Sequence, residues 1–300
     1  MTPMSIGRSF STPILRFRRP LIVLMLAIAA MLNATLLVSV VVAGHVPYDW
    51  NAYAEAAHRF GTSSLYDWVG HYSFRYAPLA AALFSVVVPL GAGLWRVLHI
   101  VAALGLPSRR LVVAVLVSYP FWFDVDTGNL MMFVLLAAAW AWRGSRIGIA
   151  IYMALTILVP RPLMLPLAAW ILWRRPEWRI PTIALALVVM VSAAFMGYLG
   201  PWASALTRSA GDVTSQLNLG PSRFLGVWWL LIGLPLGAWL TLKGRVGWAS
   251  LAISPYLLPY YWLMLGVELV APGIPRAVHH GASHEASAPR TSMRVTGSSP

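Results

Sequence analysis

The stretch VPYDWNAYAEAAHRFGTSSLYDWVGHYSFRYAPLAA, residues 46–81, decides how the rest of this chain is read. It is polar, rich in tyrosine and tryptophan, and holds three of the nine acidic residues. From Asp49 onward Tyr53, Ala56, Ala57 and Phe60 recur at three- and four-residue steps, which predicts an amphipathic helix ended by Gly61. Asp49 stands at the start of that helix. There it can cap the free N–H groups of the first turn, or serve as a carboxylate facing a cavity. Tyr66-Asp67 follows the Gly61–Ser64 turn, and Phe74, Arg75 and Tyr76 precede the next apolar run. Taken singly, these aromatics suit an interfacial belt.

Outside this stretch the chain is mostly apolar. Its 300 residues are 59% hydrophobic and 10% charged, with a mean hydropathy of +0.71. Soluble domains carry about 25% charged and roughly 45–50% apolar residues. So few charges cannot cover a water-facing surface, which implies an integral membrane protein and excludes a soluble enzyme. The absence of cysteine excludes disulfides, thiolate metal sites and a cysteine nucleophile. The net charge of +13 is not a nucleic-acid footprint. All but one of the basic residues are arginine, and most sit between apolar runs, the pattern of membrane topology.

The first run, 20–43, follows Arg16, Arg18 and Arg19 and is too long for a signal-peptide core. We read it as an uncleaved helix after a basic cytoplasmic segment, 1–19. Further runs cover 92–106, 111–123, 129–142, 147–159, 163–173, 180–199, 224–242 and 247–270. The resulting expectation is an all-α polytopic membrane domain, 20–270, with about 8–9 transmembrane helices. The basic clusters Arg109-Arg110, Arg143/Arg146, Arg174/Arg175/Arg179 and Lys243/Arg245 share the inner side only if 76–106 crosses once. That parity predicts an in-plane helix over 77–88, a crossing over 92–106, and outward loops at 44–90 and 200–222. The last thirty residues, 271–300, have no apolar period and read as a disordered tail.

The order Asp49-Trp50-x-x-Tyr53-x-x-Ala56-Ala57, Gly61, Leu65-Tyr66-Asp67, Phe74-x-Tyr76-x-Pro78-Leu79-Ala80-Ala81 resembles the first outward loop of glycosyltransferase family 87. That family comprises polyprenol-phosphate-mannose-dependent mannosyltransferases and belongs to the GT-C superfamily. Gly128-Asn129 and Val159-Pro160-Arg161-Pro162 also fall where the family shows Gly-Gln-x-Asn and a Lys followed by Pro. Here Asn129 replaces the Gln, Met131 stands at the Asn, and Arg161 replaces the Lys.

The resemblance implies a GT-C-like bundle whose first outward loop carries juxtamembrane helices. It implies Asp49 as the general base, with Arg161, Arg75 and Asn129 on the donor phosphate. Tyr53, Tyr66 and Asp67 would meet the sugar or the acceptor. The implied partners are a polyprenyl-phosphate sugar, a glycolipid or glycan acceptor, and membrane lipids, with neither cofactor nor metal. The implied location is the plasma membrane, with the site on the extracytoplasmic side.

Arg161 also suits an interfacial anchor, and Gly128-Asn129 suits a helix start offering N–H groups to an anion. Asp124 and Asp126 have the spacing of a metal-binding D-x-D pair, a pattern frequent by chance. His99, within an apolar run, reads as a buried histidine satisfied by a neighbouring carbonyl. Two other classes stay open at this point: a transporter or flippase, and a catalytically inactive GT-C-like scaffold.

Overall fold

The computed structural model describes residues 24, 27–28, 30–38, 46–67, 74–208 and 218–273. The basic segment 1–19, most of the 20–43 run, Trp68 and Tyr72, the centre of the second outward loop and residues 274–300 lie outside the described residues.

Every described element is helical. In chain order they are α1 (Tyr48–Arg59), α2 (Pro78–Val87), α3 (Gly91–Leu104), α4 (Arg109–Leu116), α5 (Tyr119–Thr127), α6 (Met131–Trp142) and α7 (Arg146–Leu158). They continue with α8 (Leu165–Arg174), α9 (Arg179–Phe195), α10 (Leu199–Arg208), α11 (Ser222–Leu225), α12 (Leu230–Leu242) and α13 (Val246–Ile253). A 3-10 helix, Pro259–Leu269, closes the series.

Helix α6 is apolar all round and buries residues on every side, from Met131 to Trp142, as a helix at the centre of a bundle does. Helices α4, α5, α7 and α8 and the 3-10 helix pack on it to form one core. A second core joins α1, α2, α3 and α9 through Trp50, Tyr53, Phe84, Trp95 and Val189.

The expected 8–9 crossings are not found. Among the described residues, three helical runs are long and apolar enough to cross a membrane: Pro78–Leu104, Pro176–Phe195 and Ser222–Leu242. The count by apolar runs fails because most of those runs are short. Helices α6 and α7 have 12 and 13 residues, which reach only about 18–20 Å at ~1.5 Å per residue, against a hydrocarbon core of roughly 30 Å. Two of the expected spans are also broken. Ser118 caps α5 by accepting from Phe121 N, and Pro120 follows, so 111–123 divides in two. Pro255 and Pro259 likewise interrupt 247–270.

The stretch 77–106 divides where the sequence predicts, into Pro78–Val87 and Gly91–Leu104, which together make one 27-residue run long and apolar enough to cross a membrane. It has a single break at Gly91, whose φ of 84° only glycine adopts readily. The three long runs present apolar side chains outward; Ile180 is 80% and Phe195 93% exposed. Surface of this kind marks association with a membrane.

The helix ends sort into two groups. Arg143 Nη1 donates to Pro107 O at 2.8 Å, Gly144 lies beside the Arg175 guanidinium, and Gly244 packs against Trp170 and Trp142. The basic turns therefore gather at one end. At the other, Ala77 N donates to Leu158 O at 2.9 Å, Tyr198 Oη to Thr62 O at 2.8 Å and Trp202 Nε1 to Arg75 O at 3.2 Å.

Candidate functional site

The expected capping role of Asp49 is not observed. Helix α1 begins at Tyr48 with Pro47 as its cap residue, and no side chain caps it. Asp49 lies one position inside the first turn, half-buried, and its carboxylate turns toward the bundle. There Asp49 Oδ2 accepts from Asn129 Nδ2 at 2.6 Å.

The loop that carries Asn129 is held from several sides. Gly128 ends α5 in the left-handed conformation, φ 70°. A Cβ there would come within 2.8 Å of Pro47 Cβ and 3.3 Å of Trp50 Cβ, so glycine permits α1 and this loop to touch. Trp95 Nε1 donates to Gly128 O at 2.8 Å, and His99 Nε2 contacts Asn129 O at 2.6 Å.

Gly128-Asn129 does not open the next helix, which starts at Met131. The first turn of α6 already has its anion, because Asp124 Oδ2 accepts from Met132 N at 2.8 Å. Asp124 of the D-x-D pair is thus a helix-capping carboxylate supplied by the preceding helix.

Asn129 acts through its side chain. Its Oδ1 accepts from Leu130 N at 2.7 Å and from Arg161 Nη1 at 3.0 Å. A carboxylate on one side and two N–H donors on the other allow a single amide orientation. Arg161 Nη2 in turn donates to the Tyr76 hydroxyl. The guanidinium carbon lies 5.4 Å from the Tyr76 ring centroid and 5.5 Å from that of Tyr261, distances at which a cation is held by aromatic faces. Arg161 is 8% and Asn129 2% exposed. Because Ala77 N bonds to Leu158 O, the start of α2 is joined to the end of α7, and Tyr76 meets the Arg161 turn there.

Three of the residues singled out in the sequence, Asp49 on α1 and Asn129 and Arg161 on two different connections, therefore form one hydrogen-bonded chain. No protein-family model, curated protein or solved structure matches this chain.

The remaining sequence-derived residues divide. Tyr53 is buried, stacked on Phe84 at 4.3 Å and 6.0 Å from Tyr76. Tyr66 is buried and donates its hydroxyl to Tyr76 O at 2.8 Å, which braces the Tyr76 backbone. Arg75 lies within electrostatic reach of Asp49. Asp67 is exposed at the end of the turn, where its N–H bonds to Ser64 O at 3.0 Å, and makes no described contact with the cluster.

Burial holds the Asp49 carboxyl above its ordinary pKa, while the Asn129 hydrogen bond and the charges of Arg161 and Arg75 pull it down by less. A carboxylate so placed is a stronger base than one in water. The inserted amide keeps Arg161 close without a direct ion pair that would quench it.

Sequence reading missed two tyrosines. Tyr261 supplies the second aromatic ring beside the Arg161 guanidinium, and Tyr260, packed against it at 5.0 Å, is buried beside it. Both fall in the last apolar run. Their signal was a Tyr-Tyr pair directly after Pro259, where the chain leaves α-helix.

Proposed function

We propose that the protein is a membrane hexosyltransferase that moves a sugar, mannose by the family resemblance, from a polyprenyl-phosphate donor to a glycolipid or glycan acceptor. The observation that carries this reading is the Asp49–Asn129–Arg161 chain, which sets a carboxylate base and a cation one amide apart. Asp49 takes the proton of the acceptor hydroxyl as that oxygen attacks the anomeric carbon. The bond from that carbon to the phosphate oxygen breaks, the centre inverts, and polyprenyl phosphate leaves with the electron pair. General-base assistance of this type is worth roughly 10²- to 10⁴-fold.

The leaving phosphate needs fixed positive charge in a poorly solvated site. Arg161 supplies it. A guanidinium has five N–H donors, and Asn129 and Tyr76 engage one each. A guanidinium's N–H donors all lie in one plane, the geometry that grips two phosphate oxygens at once. Tyr53, Tyr66 and Asp67 are assigned to the sugar and acceptor side, with Arg75 as an accessory cation.

The basic turns at the opposite end support a multi-pass orientation with those turns cytoplasmic and the Asp49 end extracytoplasmic. A second reading rests on the mutual satisfaction of Asn129 and Arg161: the cluster would then only tie helix ends together in a membrane scaffold.

One assay separates the two. Membranes containing the protein are incubated with radiolabelled polyprenyl-phosphate mannose, and label in glycolipid and glycan fractions is measured against membranes carrying Asp49→Asn. Transfer by the parent and none by the variant is the expected result. Equal transfer by both would remove Asp49 as the base.

A further inference from the structure

His99 and Asp124 are completely buried, and the transfer chemistry uses neither. His99 belongs to α3 and Asp124 to α5. The His99 ring contacts two backbone carbonyls: Nδ1 is 2.8 Å from Trp95 O, and Nε2 is 2.6 Å from Asn129 O. A carbonyl oxygen accepts hydrogen bonds and never donates them. A neutral imidazole carries one N–H, so in either tautomer one contact would press a ring lone pair against a carbonyl lone pair. Both contacts are hydrogen bonds only when both nitrogens carry hydrogen.

Asp124 supplies the balancing charge, with Oδ2 3.6 Å from His99 Nε2. The pair has one proton to place. An imidazolium beside a carboxylate and a neutral ring beside a carboxylic acid have the same total charge. Only the first satisfies both carbonyls and keeps a carboxylate on the first turn of α6. Burial disfavours both the charged ring and the carboxylate; the two carbonyls act the other way at His99, as the Met132 N–H and Arg161 do at Asp124. The other charged groups facing this pair are Arg161 and Asp49, both reached through Asn129, and Trp95 and Phe133 close the remaining sides.

We propose that His99 is an imidazolium paired with Asp124, and that it is the positioning residue for Asn129. By gripping the Asn129 carbonyl it fixes the backbone from which the amide reaches Asp49 and Arg161. The positioning role rests on the transferase reading above. The protonation state does not.

The first measurement is ¹⁵N NMR of the full chain, labelled at histidine, in detergent micelles at pH 7.5, with His99 assigned by its loss in His99→Gln. An ordinary histidine, pKa about 6.5, is mostly neutral there. The expected His99 signal is that of a doubly protonated ring, converted to a neutral ring in Asp124→Asn, whose amide oxygen still accepts from Met132 N. A neutral His99 signal in the parent overturns the proposal, whether or not the protein transfers sugar.

The second measurement is kinetic. His99→Gln keeps an N–H donor group and loses the charge. It is expected to lower kcat about tenfold or more, the scale of a charge-assisted hydrogen bond, with KM for the lipid donor unchanged. An unchanged kcat removes the positioning role. An inactive parent chain with an imidazolium signal defeats the transferase reading and leaves the ion pair standing.

Discussion

Replacing Asn129 by alanine tests whether the amide is what holds the site together. The side chain makes three hydrogen bonds: to Asp49 at 2.6 Å, from Arg161 at 3.0 Å and from Leu130 N at 2.7 Å. Two involve charged partners, at roughly 1.5–3 kcal/mol each, and one is neutral, at about 1 kcal/mol. With every other atom fixed, the loss would be on the order of 4–7 kcal/mol. Asp49 and Arg161 face each other across the vacated space, and part of the loss returns as they approach. Breaking a buried charged network by removing one member typically costs about 3–5 kcal/mol, and the lower end is expected here. Against a total stability of about 5–15 kcal/mol for a domain, this is a large effect.

The assay is denaturation of purified Asn129→Ala in detergent, followed by tryptophan fluorescence, beside Asn129→Asp. The aspartate keeps an acceptor for Arg161 and Leu130 N but sets a carboxylate against Asp49, so it should fall between parent and alanine at pH 4 and approach alanine at pH 7. Parent-like stability of Asn129→Ala would refute the bridge.

Four further outcomes are expected. Because burial raises Asp49 in the folded chain, its protonated form stabilises the fold fully below about pH 4, and that stability is lost as pH rises through the folded-state value. Asp49→Asn should therefore gain stability relative to the parent between pH 4 and 7, and a pH-independent difference in denaturation midpoints would contradict it. Arg161→Lys should retain partial transfer, and Arg161→Gln should lose roughly ten- to a hundredfold, from about 1.5–3 kcal/mol, in assays with any acceptor. Gly128→Ala should lose about 1–3 kcal/mol, because it combines positive φ with a 2.8 Å contact to Pro47; an unchanged melting midpoint would show that α1 and the loop separate freely. The chain has no cysteine of its own, so an impermeant thiol reagent applied to intact cells should label Ser63→Cys and leave Arg109→Cys unlabelled. Labelling at 109 would reverse the orientation.

The polar residues were legible because each is exceptional where it stands. A carboxylate at the start of an aromatic-rich helix, an Asn after Gly128 and an Arg between two prolines are rare in so apolar a chain. What each of them touches was not legible. Asp49 resembles a cap in sequence because caps and first-turn acids share the same local pattern; only Asn129, 80 residues away, turns its carboxylate inward. Asp124 resembles half of a metal site because spacing does not show that the next helix will claim it. The number of crossings was misread for a different reason. Hydropathy does not distinguish a helix buried by protein, such as α6, from one long and exposed enough to cross a membrane, such as α9. Tyr260 and Tyr261 escaped notice because an apolar run implied a helix where the backbone is 3-10.

The described chain finishes with a lock at the basic end. Trp142 Nε1 donates to Val270 O at 3.1 Å, and Gly273 N donates to Trp142 O at 2.9 Å. A Cβ at Gly273 would fall 1.9 Å from Arg143 O, so no side chain fits there. Residue 273 itself sits beside Arg143 and Arg175, at the end of the bundle away from Asp49. A reporter domain fused after residue 273 would thus sit across the molecule from the site, leaving the Asp49 mouth free of it. Any bulky residue at 273 would pry this anchor off the end of α6 and loosen the central helix at its base.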